Sequence, residues 1–237
     1  MNPQELVDRI HNQNSYKHRI LYYGPSSSKD LLATINQYHQ VPAALKDIPA
    51  GNEYAYLETP VTKVLVAPYD AKQIYMAQIS NLDKKYDPAI EPIRALYDEY
   101  FGGGMNSIVF QEMRETRGLA YSAWASIMPP SYLKYPYVLR TQIATQNDKM
   151  IDAVTTFNDI INNMPESEAA FKLAKDGLTN RLRTERIIKG DIIWSYINAQ
   201  DLGQNVDPRI KLYNDIQNMS LKDIVDFQKQ WVKGRTY

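Results

Sequence analysis

YFGGGMNSIVFQEMRETRGLAYSAWAS, residues 100–126, is the stretch on which the fold turns. Gly102, Gly103 and Gly104 precede a run in which Ile108, Val109 and Met113 recur at helical spacing. Asn106 or Ser107 is placed to cap that helix. Gly118 stands where a left-handed C-terminal cap is expected. Leu119, Tyr121, Ala123, Ala125 and Ile127 then alternate as a strand. Arg114 falls in the last turns of the helix and Tyr121 just past its stop, a junction able to aim both side chains into one cavity. Arginine offers a fork of donors and tyrosine one directed hydroxyl. Together they can hold peptide carbonyls or steady an oxyanion. The plainer alternative pairs Arg114 with Glu115, Glu112 or another surface carboxylate and half-buries Tyr121 in the sheet. Arg117 competes with Arg114 for any binding role.

Working outward, residues 3–13 read as a short amphipathic helix with Leu6, Val7 and Ile10 on one face. Residues 17–23 alternate as a strand, and Ser28 can cap a helix carrying Leu31, Leu32, Ile35 and Tyr38. Residues 41–59 have few periodic signals and scattered Pro and Gly, so they read as a connection and a boundary. Two domains are therefore expected, 1–59 and 60–237. Residues 61–68 and 73–80 predict neighbouring antiparallel strands. Ile93, Leu96, Tyr97 and Tyr100 form a helical stripe that tolerates Pro92 only in its first turn. Tyr137, Leu139, Thr141 and Ile143 alternate as a further strand. The remainder reads as helical. Asn147 or Asp148 caps a helix that buries Ile151, Val154, Phe157 and Ile161, and Pro165 starts the next. Shorter helices are expected at 191–202, 208–218 and 220–232, the last with Ser220 and Asp223 at capping-box spacing. The fold class is α+β, an antiparallel sheet covered by helices on one side.

Several function classes fall away on composition. Lys plus Arg equals Asp plus Glu, 27 each, so no net charge steers the chain to nucleic acid or an anionic membrane. No apolar run approaches the ~20 residues that span a bilayer, and the N-terminus lacks the basic and apolar regions of a signal peptide. Both ends are consistent with a piece of a longer chain. The absence of cysteine rules out thiol catalysis and leaves the compartment open, the periplasm included. His11, His18 and His39 are the three histidines, none at i,i+4 spacing with another, so no metal site is expected. No Gly-x-Ser-x-Gly elbow is present. The glycine triplet runs into Met105-Asn106-Ser107 without the Lys of a phosphate loop, and a helix precedes it where a nucleotide fold needs a strand. Its reading is a tight corner between two helices. The 18 tyrosines against five phenylalanines are read mostly as packing.

The segment YDEYFGGGMNSIVFQEMRETRGLAYSA, residues 97–123, resembles the C-terminal domains of the insulinase, pitrilysin and mitochondrial processing peptidase family of zinc proteases. The resemblance extends more loosely over most of the chain. It implies two homologous halves facing each other, one of which carries His-x-x-Glu-His. That signature is missing here. The resemblance therefore implies a non-catalytic half: no catalytic residue, no enzyme by itself, no cofactor in this chain, and zinc in a partner half. That partner lies in cis or on a separate subunit. In such halves an arginine and a tyrosine seven residues apart contact the substrate, and Arg114 and Tyr121 match the spacing. By the resemblance they bind peptide carbonyls, and Gly102, Gly103 and Gly104 form part of the chamber wall. It also implies that residues 1–59 are the remnant of a preceding, N-terminally truncated half-unit. A structural scaffold in a larger assembly is the competing function, because some relatives of the processing peptidases serve only that role.

Overall fold

A computed structural model describes residues 2–51, 54 and 56–237. The chain divides into two compact units, Met1–Tyr54 with Ile187–Tyr196, and Ala55–Arg186 with Ile197–Tyr237. In the first unit, α1 (Pro3–Gln13) is closed by a capping box in which Asn2 and Glu5 exchange hydrogen bonds. In α2 (Ser28–Tyr38) the cap is Ser27, one residue earlier than the sequence reading places it. Residues 17–23 form no strand. A single bridge links Tyr16 to Lys46, and the apolar side chains Ile20 to Tyr23 stay exposed. An alternating run becomes a strand only when another edge takes up its N–H and C=O groups, and among the described residues the Lys17 amide alone finds one, the Lys46 carbonyl at 2.8 Å.

The second unit holds the sheet. β1 (Gln73–Lys85), β2 (Ser122–Met128) and β3 (Pro136–Gln146) are antiparallel in the order β1-β3-β2. Residues 61–68 form no strand beside β1, against expectation. Their start is tied instead to the chain's end, where the Lys63 amide donates to the Tyr237 carbonyl at 2.8 Å. Val64, Leu65 and Val66 are exposed. The partner of β1 is β3, with Gln78 opposite Thr141. The expected α+β architecture, an antiparallel sheet covered by helices, is the one observed.

One face of the sheet is covered. Leu139, Thr141, Ile143 and Thr145 of β3 are buried on it. The Gln78 side chain joins Thr141 to Asn158 of α5 (Met150–Asn162), both bonds at 2.9 Å. Phe157 and Ile161 of α5 are buried as read, whereas Ile151 is exposed. The helix α6 (Glu168–Thr184) begins after Ser167, not at Pro165. The Pro165 carbonyl instead accepts the Tyr100 hydroxyl at 2.8 Å. The helix α7 (Gly190–Asp201) begins in the first unit and ends in the second, where α8 (Pro208–Ile216) and α9 (Leu221–Trp231) complete the helices. Tyr97 and Phe101 of α3 (Glu91–Phe101) stack on each other, and Tyr97 also packs on Phe227 of α9. Burying such rings contributes roughly 1.5–3 kcal/mol apiece. Tyr97, Tyr100 and Tyr137 are fully buried with their hydroxyls hydrogen-bonded, which accounts for three of the tyrosines as packing residues.

The other edge of β2 is closed by α3. Outward-pointing edge groups must find partners. The Ile127 amide donates to Asp98 Oδ1 at 2.9 Å, and the Ile127 carbonyl accepts from Arg94 Nη1 at 3.1 Å. Arg94 also donates to Asp98 Oδ2 at 2.7 Å and is gripped by Glu91. Burial raises the Asp98 carboxyl to about 6, against the opposing pull of Arg94 and the Ile127 amide. This lock fixes where β2, and with it Tyr121, stands.

Candidate substrate-binding site

The glycine corner links α3 to the next helix, as read, and also packs closely on a strand. A Cβ on Gly102 would sit 2.2 Å from the Ala125 carbonyl oxygen of β2, and one on Gly103 would sit 2.8 Å from the Asp98 carbonyl oxygen. Only glycine permits that approach. Gly104 is open, its nearest neighbour being Glu99 Oε1 at 4.0 Å. Gly103 and Gly104 are exposed.

Ser107 caps the following helix. That helix begins as α4 (Ile108–Phe110) and widens into a π-helical turn, Gln111–Thr116. Such turns are rare and concentrate at functional sites. Met113 anchors the turn in the core, and its carbonyl receives the Leu119 and Ala120 amides at 2.8 and 3.2 Å. Gly118 adopts φ +57°, the left-handed stop expected from its position. Lys149 donates to the Gly118 carbonyl at 3.0 Å, which satisfies one loose carbonyl of the stop. The Tyr121 amide then donates to the Ala144 carbonyl at 2.8 Å, and the chain enters β2.

This path brings Arg114 and Tyr121 together on the surface. The Arg114 guanidinium carbon lies 5.8 Å from the Tyr121 ring centre and 5.0 Å from that of Phe110. Stacking between two rings holds a guanidinium flat and leaves its N–H edges free. Its Nε makes an ion pair with Glu115 at 3.6 Å, as the plainer reading allowed, at a separation beyond a hydrogen bond. Arg117, by contrast, is tied to Glu112 at 3.1 Å. Tyr121 is 72% exposed, not half-buried. Its hydroxyl has no hydrogen-bond partner among the described residues. Gly102, Gly103 and Gly104 stand at the start of the helix whose far end carries Arg114, so they do not join the pair in one cluster.

The sheet also has an uncovered face. Tyr75 of β1 and Arg140 of β3 are exposed there, and Trp124 of β2 is half-buried. The Arg140 guanidinium lies 5.9 Å from the Trp124 ring centre. The sequence reading missed this face. Its signal was the polar half of the same alternation, Arg140 and Gln142 between the buried residues of β3.

Among the described residues, no group of three or more His, Asp and Glu side chains is arranged to hold a metal. His18 and His39 form a hydrogen-bonded pair, with their Nε2 atoms 2.7 Å apart. The described residues do not fit a catalytic zinc.

Residues 20–178 match the family described as the peptidase M16 inactive domain. The chain belongs to that family. As an M16 inactive domain it is not a peptidase by itself. Among solved structures it resembles a peptidase M16 inactive domain from Pseudomonas fluorescens, with TM-score 0.63 and 17% identity over 86% of this chain and 48% of that one. It also resembles the inactive peptidase domain of a zinc protease from Bordetella parapertussis, with TM-score 0.53 and 12% identity over 73% of this chain and 94% of that one. The third is complex III2 from Candida albicans in its Inz-5-bound form, with TM-score 0.56 and 13% identity over 87% of this chain and 50% of that one. At such identities the likeness is one of fold. This M16 domain spans about half the length of the first relatives it matches, 48–50% of each. No curated protein matches its sequence. No helix among the described residues is long and apolar enough to cross a membrane.

Proposed function

We propose that this M16 inactive domain binds and encloses a peptide for a zinc-bearing partner half, which carries the chemistry. The single observation behind this reading is the Arg114–Tyr121 stack. Two donor side chains with unused hydrogen-bonding capacity converge on the surface where the π-helical turn runs into β2. An extended peptide presents carbonyl oxygens at regular spacing, and a guanidinium edge with a phenol hydroxyl suits two of them. When the partner's metal-bound water attacks, the same donors would steady the charge that develops on the carbonyl oxygen. Gly102, Gly103 and Gly104 would let the wall run close to the peptide backbone. In this reading residues 60–237 make up that wall and residues 1–59 close the preceding half-unit. The periplasm is one compartment that would suit it, since one neighbour of this fold is the periplasmic protease PqqL from Escherichia coli.

The test is reconstitution with a zinc-bearing M16 half, in cis or as a second subunit. Cleavage should require both halves, and Arg114→Ala or Tyr121→Phe should lower kcat/KM by roughly ten- to a thousand-fold, the scale of a lost transition-state donor. A scaffold role is the second reading, prompted by the fold's likeness to complex III2. Co-purification with a membrane complex, and wild-type rates in both variants, would favour it.

A further inference from the structure

We infer that His18 and His39 form a surface site for one divalent transition-metal ion of the Cu(II) class, with water in its remaining positions. It does not depend on peptide binding. Both residues belong to the first unit, His18 in the exposed segment that pairs with no strand and His39 on the C-cap of α2. They stand 21 positions apart in the chain, yet their Nε2 atoms meet at 2.7 Å. The ring centres lie 4.9 Å apart with the planes at 86°, so the two nitrogens face each other. The Nδ1–H of His18 donates to the Tyr16 carbonyl at 2.6 Å, since a carbonyl can only accept. The lone pair of the neutral ring therefore stands on Nε2, toward His39. A backbone carbonyl behind the ring is the arrangement that orients a metal-binding imidazole.

The spacing selects the ion. Two nitrogens each ~2.0 Å from an ion lie about 2.8 Å apart at the right angle of a tetragonal site and about 3.3 Å apart at a tetrahedral one. The observed 2.7 Å matches the first. An entering ion therefore needs the rings to pivot and not to separate. His18 is exposed and His39 half-buried, so water reaches the pair. Imidazole suits copper, and Cu(II) stands above its neighbours in affinity for nitrogen sites. The charge balances within the pair. The hydrogen that now bridges the two rings moves from Nε2 to Nδ1 of His39, both rings stay neutral, and the ion takes its place. Lys17, next to His18, is neutralised by Asp47 at 2.5 Å. Two protein ligands are fewer than a catalytic zinc takes, so the pair binds an ion and does no chemistry on it. The ion would join residue 18 to the end of α2 in a unit with no buried side chain among its described residues. A metal tie there adds directly to folding stability.

The experiment titrates the untagged chain with Cu(II) chloride at about pH 7. Calorimetry should show one equivalent bound, and the frozen-solution EPR spectrum should show coupling to two imidazole nitrogens. His18→Gln and His39→Gln should each weaken Kd about tenfold or more, the loss expected when a two-point contact becomes one-point. His11→Gln, at the third histidine, should change nothing. Binding should fall away at about pH 5, where protons compete for the imidazoles. Bound Cu(II) should slow tryptic cleavage within residues 19–38 of the parent and not of His18→Gln. Equal Kd in the parent and in the double variant His18→Gln/His39→Gln overturns the inference, and so does coupling to a single nitrogen. A Cu(II)-dependent dimer detected by sedimentation would put the two imidazoles on different copies and overturn it too.

Discussion

The two faces of the three-stranded sheet are built from the same strands and behave as different materials. On the covered face Leu139, Thr141 and Ile143 are buried against helices, and even the polar Thr141 is satisfied through Gln78. On the open face the next residues along, Arg140 and Gln142, remain at least partly in water beside Trp124 and Tyr75. The period of two places both sets, but only the first is needed to fold the domain. An arginine stacked on a tryptophan adds little to stability. Substitutions should therefore divide cleanly, with large stability costs on the helix side and small ones on the open side.

The largest stability effect is expected at the corner behind the sheet. Gly102→Ala places a methyl 2.2 Å from a backbone oxygen of β2, so strand or helix must move. A loss of ~4 kcal/mol or more in denaturant unfolding is expected, the range of backbone-level disruptions. A loss under about 1 kcal/mol would show that the contact is easily relaxed.

The next effect is at Asp98 and depends on pH. Its folded carboxyl is raised to about 6 from an ordinary value of 3.8, so between those values the native state binds the proton more tightly than the unfolded one. The group's contribution is thus most favourable below pH 4. It falls as pH rises from about 4 to 6 and is level above that, a span of about 3 kcal/mol. Asp98→Asn keeps an acceptor for the Ile127 amide and removes the titration. Its stability relative to the parent should rise between pH 4 and pH 7. A flat difference would mean that Arg94 holds the carboxylate at an ordinary value.

Smaller effects separate Arg114 of the π-helical turn from Arg117 just past its end. Arg117→Ala breaks an exposed pair with Glu112, worth about 0–1 kcal/mol, and should leave peptide binding unchanged. Arg114→Ala should change stability as little yet weaken peptide binding. Equal behaviour of the two in a binding assay would erase the distinction between them.

Much of this was legible in the sequence, and the gaps have physical causes. The left-handed Gly118, the alternation of β2 and β3, Pro92 in the first turn of α3 and the Ser220–Asp223 cap are local features, fixed by neighbours within a few residues. The alternating run at 17–23 and the apolar-rich run at 61–68 both read as strands and form none, because pairing is a property of two segments and not of one. Gly102 was read as glycine at a helix corner, and the partner that demands it, Ala125, is 23 positions away. The Arg114–Tyr121 pair was legible as a spacing, and its stacking with Phe110 was not. The π-helical turn has no sequence signal of its own. The open face was missed because attention went to the apolar half of the alternation, while Arg140 and Trp124 sit on the other half.

The central claim is that the stacked pair serves bound peptide and not the fold, and Tyr121→Phe tests it most directly. This change removes one oxygen that has no partner among the described residues. In the assembly with a zinc-bearing half, kcat/KM should fall tenfold or more while the unfolding midpoint of the domain stays put. Wild-type kcat/KM in Tyr121→Phe would contradict the account, and so would a fall in activity matched by lost stability.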